Sequence, residues 1–154
     1  MQKTNQKGFT LIEILIVIGI IAILATIVIV AINPARQFAQ ARDTQRTSNI
    51  NAILNAVGQY VADNKGDLPI EIQLTTPENI STAGADLCIT LMPTYIPSLT
   101  SDPTSPSGQI TNCPASYDTL YSIVKDAQDR VTVCTTVYEP SIPRLTPNDI
   151  CVTR

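Results

Sequence analysis

Hydrophobic and polar positions divide the chain into three stretches with different periods. From Phe9 to Ile32 almost every residue is Ile, Leu, Val or Ala, and Glu13 is the one charge inside the run. At 1.5 Å per residue a helix of this length covers roughly 36 Å, enough to cross a bilayer core with some tilt. The flank MQKTNQK carries Lys3 and Lys7 and no acid. The positive-inside rule therefore leaves the amino terminus in the cytoplasm and sends the remainder outside, a single pass of the cytoplasmic membrane.

The second stretch opens at Asn33-Pro34, where proline removes a backbone donor and predicts a kink or local melt at Pro34, without requiring the helix to end. Beyond it, Ile50, Ile53, Leu54, Val57, Tyr60 and Val61 recur at helical spacing and form one apolar stripe. Residues 40–49 are polar on nearly every face. Arg36, Arg42 and Arg46 read there as a solvated surface, or as cations that meet lipid headgroups or acidic neighbours. Gly66, Asp67 and Pro69 supply stop signals, so residues 34–65 are expected to be an amphipathic helix.

The third stretch, 66–154, begins with a Pro-, Ser- and Thr-rich segment, 67–118, expected to be an irregular loop with short helices or strands. TLYSIV and RVTVCTTVY alternate and are rich in β-branched residues, and KDAQD joins them, which predicts an antiparallel hairpin. A third short strand is expected at Ile150–Val152. A small antiparallel sheet laid over the stripe of the second helix buries both faces, an α+β arrangement.

Composition narrows the chemistry. Among 154 residues there are 10 Lys and Arg, 13 Asp and Glu and no His, for a net charge of −3. A broad basic surface for nucleic acid is not indicated, and the commonest general base and metal ligand are missing. Asp63, Asp67, Glu71, Glu78, Asp86, Asp118, Asp126, Asp129 and Glu139 contain no pair singled out by spacing, so surface carboxylates are the default reading. No catalytic residue, cofactor or metal site is assigned. Cys88, Cys113, Cys134 and Cys151 form no C-x-x-C pair. An even count beyond a membrane segment favours two disulfides in an oxidising compartment over buried free thiols, with three connectivities open.

A secretory signal has a shorter apolar core and places its small residue after that core. Here Gly8 precedes it. The run K-G-F-T-L-I-E, followed by about 20 apolar residues, resembles the type IV prepilin motif shared by pilins and the pseudopilins of type II secretion, and the amphipathic helix extends the likeness to about 65 residues. The resemblance implies a pilin fold, a long helix packed on a small sheet. It also implies that a membrane aspartyl peptidase cuts between Gly8 and Phe9, removing residues 1–8 as a leader and leaving Phe9 to be N-methylated. Residues 9–33 then remain as a transmembrane and polymerisation helix.

Physics supplies a use for Glu13. A lone carboxylate at depth costs roughly 2.5 to 3.5 kcal/mol on insertion scales, and the Phe9 amine of a neighbouring subunit is a partner that offsets this and fixes registry. The alternative is a carboxylate that snorkels to the headgroups without a partner. The expected function is a structural subunit of a type IV pilus or pilus-like filament; alternatives are a type II secretion pseudopilin, a minor or competence pilin, and remotely a tethered enzyme or binding module. Implied partners are related pilin subunits, the prepilin peptidase, an inner-membrane assembly platform and lipid before assembly. DNA is possible as a partner only for a specialised pilin and is not indicated.

Type IV pilins commonly break the membrane helix earlier than this chain, in which Gly19 and Pro34 are the only such residues between Phe9 and Asn49. LMPTYIPSLTSDP resembles the segment of pseudopilins that leads into the sheet. Some pseudopilins hold calcium near there, but Asp102 has no close acidic companions in sequence and no metal is assigned. The resemblance also favours a Cys134–Cys151 bridge, leaving Cys88 with Cys113, each adding about 3 kcal/mol by restricting the unfolded chain.

Overall fold

A computed structural model describes residues 8–31, 33–73, 75–135, 137, 139–140, 142 and 150–154. Lys3, Lys7 and the leader before Gly8 lie outside the described residues, as do positions 136 and 138 of the expected second strand. Two compact units meet at Phe38 and Ala39.

The first unit carries α1, Leu11–Ala31. Its Leu11–Ile29 span has a mean hydropathy of 3.1 and none of it is buried within the chain. Thr26 is a polar residue in this run, and its hydroxyl donates to the carbonyl of Ala22 at 2.7 Å, so it leaves no open donor toward lipid. A second helix, α2 (Pro34–Asp63), begins at the proline. Asn33 caps it through its side-chain oxygen, which accepts from the Arg36 N–H at 3.3 Å. Pro34 then takes the first helical position, where its missing N–H leaves nothing unsatisfied.

In the second unit, Ala39–Arg154, the predicted stripe of α2 is the core face. Ile50, Ile53, Leu54 and Val57 are buried in one cluster with Tyr121, Ile123, Val131 and Val133 of the sheet. The helix ends where Lys65 and Gly66 take positive φ of 58° and 102°, and the Gly66 N–H closes back on the Val61 carbonyl at 2.9 Å. Glycine adopts that conformation without a Cβ penalty.

The sheet has four antiparallel strands in chain order: β1 Glu78–Ser81, β2 Asp118–Lys125, β3 Val131–Thr135 and β4 Ile150–Thr153. β2 and β3 fall in the stretches expected from alternation, and β4 at the expected third short strand. β1 and a single-turn helix, α3 (Cys88–Leu91), occupy the segment expected to be irregular, which also forms a bridge between Leu99 and Ile110. β1 keeps its place through a tight return: Gly84 N–H and Ala85 N–H donate to the carbonyls of Ser81 and Asn79 at 3.3 and 2.9 Å. A Cβ on Gly84 would collide with the Asn79 carbonyl oxygen.

Two disulfides join Cys134 to Cys151 and Cys88 to Cys113. The first links directly opposed residues of β3 and β4, so one bridge secures the last strand to the sheet. The second ties α3 to the loop before β2.

The reading of Arg46 and Glu139 as solvent-facing charges is corrected, while Arg42 stays partly exposed. Arg46 is fully buried. Its Nε donates to Asp102 at 2.6 Å, and its Nη1 donates to Glu139 at 2.8 Å and to Asp43 at 3.0 Å. Arg42 grips Glu139 with two bonds of 2.6 Å. The physical reason is completeness: buried charges persist when paired and hydrogen-bonded on every side. Asp102 also accepts from the Thr104 N–H at 2.8 Å and hydroxyl at 2.6 Å. Burial works against its ionisation, but the Arg46 and Thr104 bonds outweigh it and hold the carboxyl below its usual range. The cluster ties α2 to two segments 56 and 93 residues further along.

Candidate functional site

The start of α1 is built by a T-x-x-E sequence. Thr10 is the last residue before the helix, and Glu13 reaches back so that its Oε2 accepts from the Thr10 N–H and hydroxyl, both at 2.8 Å. The Thr10 hydroxyl accepts in turn from the Glu13 N–H at 3.3 Å. This is a capping box, which satisfies donors that a helix start otherwise leaves open. The sequence reading of Glu13 did not include Thr10, although the spacing is the signal for it. Oε1 has no partner among the described residues.

Gly8 and Phe9 lie immediately before this cap and are exposed, Phe9 at 85%. A Cβ at Gly8 would meet no atom within 4 Å. Nothing among the described residues therefore requires glycine there. Leu11, Ile12, Ile14, Leu15 and the apolar side chains that follow to Ile29 are likewise exposed, so α1 presents apolar surface all round. A helix of that kind is stable in lipid or against other apolar helices, and not in water.

Among the described residues no group of three or more His, Cys, Asp or Glu is arranged to hold a metal ion. The carboxylates reviewed for catalysis are dispersed: Asp126 closes the β2–β3 turn by accepting from the Gln128 and Arg130 N–H groups, both at 2.9 Å, and Asp86 accepts from the Tyr117 hydroxyl at 2.6 Å. Tyr121 is a buried hydroxyl paired with the Asn49 amide at 3.1 Å, and burial pushes its pKa up to about 12. These arrangements hold the fold.

Comparison with known proteins agrees with this geometry. Residues 3–29 match the family profile described as the prokaryotic N-terminal methylation motif. The type IV wide pilus major component PilA4 of Thermus thermophilus is 40% identical over 83 residues, covering 50% of this chain and 62% of the relative. The type II secretion system core protein G of Aeromonas hydrophila is 39% identical over 64 residues, 42% of this chain and 43% of that protein. The Pseudomonas aeruginosa protein of the same name is 41% identical over 64 residues, with 42% and 44% covered. The chain thus spans between two fifths and two thirds of the relatives it matches. No solved structure matches it. Through its N-terminal methylation motif and these stretches of matching sequence, the chain is similar to type IV pilins and type II secretion pseudopilins.

Proposed function

We propose that this protein is a structural subunit of a type IV pilus or pilus-like filament, anchored in the cytoplasmic membrane by α1 before assembly and without catalytic activity of its own. One observation carries the reading: an apolar helix exposed on every side starts directly after Gly8-Phe9 and contains a single carboxylate. Lipid covers such a helix in the membrane, and only other apolar helices can cover it outside. Cleavage between Gly8 and Phe9 by a prepilin peptidase, with N-methylation of Phe9, creates a cation one turn from Glu13. The Glu13 Oε1 of one subunit then receives the Phe9 amine of the next, which sets the axial step.

The domain of residues 39–154 is displayed on the filament. A subunit of a type II secretion pseudopilus is the second reading, favoured by the two relatives named core protein G. Intact mass and N-terminal sequence of protein from a sheared-filament fraction test both processing and polymerisation. A chain beginning at N-methylated Phe9 is expected, and substitution of Gly8 by Leu should leave unprocessed protein in the membrane. A sheared fraction lacking the protein, or a chain still starting at Met1, refutes the reading; short periplasmic filaments in place of long surface ones favour the pseudopilin.

A further inference from the structure

The domain carries an open apolar groove of about 650 Å³ beside the second half of α2, within the size range of small binding sites. Its walls are Leu54, Val57, Val61, Ala62, Leu68 and Val131. Gly58 lies in its floor, and a Cβ there would meet nothing within 4 Å. Glycine within a helix is unfavourable by roughly 1 kcal/mol relative to alanine, and no neighbouring atom here demands it. What its small size preserves is open space. At the rim stands Arg154, whose guanidinium is held by the side-chain oxygens of Asn51 and Asn55. Both acceptors are neutral, and no side-chain carboxylate among the described residues pairs with this cation. The carboxylate that also lines the groove, Asp129, faces Lys125 at 3.7 Å.

Among its described residues the same domain exposes two large aliphatic side chains, Ile70 at 88% and Ile89 at 76%. Ile70 sits on the Gly66–Ile72 loop that forms the rim of its own groove. Ile89 sits on α3, which is held by the Cys88–Cys113 bridge and by the Thr90 hydroxyl donating to Glu71 at 2.8 Å. Three residues before Ile89 is Asp86, whose Oδ1 takes the Cys88 N–H and the Tyr117 hydroxyl and whose Oδ2 has no partner among the described residues. An exposed apolar side chain three residues from a carboxylate with a free oxygen complements an apolar groove whose guanidinium is paired only with neutral acceptors among the described residues.

We propose that the groove receives Ile89 of a second copy of this chain, with Asp86 of that copy turned toward Arg154. Neither Ile89 nor Asp86 lines the groove, so the contact is head-to-tail and repeats along an assembly. This rests on the filament reading and adds a domain-to-domain contact to it.

The test uses the full-length chain in the cells that produce it. Gly58→Cys and Ile89→Cys copies are expressed together, and sheared filaments are treated with a short bismaleimide. A crosslinked dimer is expected from the mixture and from neither variant alone. Gly58→Leu fills the groove with a better helix former, so the melting temperature of the detergent-solubilised chain should be unchanged or higher. Its filament yield should fall about tenfold, as for one blocked apolar contact per interface. Filaments that give no crosslink, that link Gly58→Cys to Ile70→Cys instead, or that form normally from Gly58→Leu refute the proposal. If the unsubstituted chain gives no filaments and keeps Met1, the filament reading itself fails and the contact falls with it.

Discussion

Replacing Glu139 by Gln keeps the shape of the side chain and removes its charge from the cluster around Arg46. In the folded protein the Arg42 and Arg46 bonds lower the Glu139 pKa to about 2, against an ordinary 4.5. That gap of roughly 2.5 units corresponds to about 3.4 kcal/mol at 1.36 kcal/mol per unit. Arg42 retains 38% exposure, so water screens its part, and about 2 kcal/mol is the better figure. An acid whose folded pKa is depressed stabilises above its unfolded value and loses that contribution as pH falls through the folded one. For Glu139 the window runs from about 4.5 down to about 2. Glu139→Gln should therefore unfold about 2 kcal/mol more easily at pH 7, a drop of several degrees in melting temperature for a domain of this size. By pH 3 the difference from the unsubstituted chain should have shrunk to less than half. Urea and thermal melts of the detergent-solubilised chain at pH 7, 5 and 3 measure this. A variant as stable as its parent at pH 7, or a difference unchanged down to pH 3, would refute the assignment of Glu139 as an ionised partner of Arg46.

Converting both Cys134 and Cys151 to Ser should lower stability by about 3 kcal/mol, since their 17-residue separation closes a loop in the unfolded chain; urea melts check it, and an unchanged midpoint argues that the opposed strands need no bridge. Gly84→Ala drives a Cβ into the Asn79 carbonyl, so a loss of about 1–3 kcal/mol is expected, whereas Gly58→Ala, with open space around it, should be neutral or stabilising. Glu13→Ala should insert and be processed normally while the ratio of sheared filament to membrane-resident mature protein falls. Glu13→Asp should lie between, because the charge persists with one methylene less reach, and a normal ratio from Glu13→Ala would leave the carboxylate without a role in assembly.

Legibility in the sequence followed locality. The apolar run, the stripe from Ile50 to Val61 and the alternation of β2 and β3 are patterns within a single element, and each appears in the structure where its period placed it. β1 carries no such signal: ENIS is four residues with one large aliphatic side chain, and it becomes a strand through its partner β2 and the return at Gly84. The Arg46 cluster is invisible for a related reason. Each of its members alone is a surface residue by default, and only tertiary contact across 56 and 93 positions makes them a buried set. Thr10-x-x-Glu13 is the opposite case, a local signal readable at once, but overshadowed by the larger question of why a membrane helix carries a carboxylate. Of the groove, the sequence offered only a glycine inside a helical pattern.

The return that follows β1 has a consequence for how such chains associate. The Ile80 carbonyl and the Thr82 N–H face β2, accepting from the Thr119 hydroxyl and donating to the Tyr117 carbonyl. Backbone groups alternate along a strand, so Asn79 and Ser81 turn theirs to the other side, where Ala85 and Gly84 already occupy both carbonyls. Both of those acceptors are therefore closed to a strand from another molecule. Proteins at high local concentration in a membrane run a constant risk of sticking together edge to edge, an association with no fixed stopping point and no easy reversal. On the proposed filament reading subunits join through apolar helices, and that requires their strands to stay out of the contest. Two hydrogen bonds from a three-residue turn remove one of the places where they could enter it.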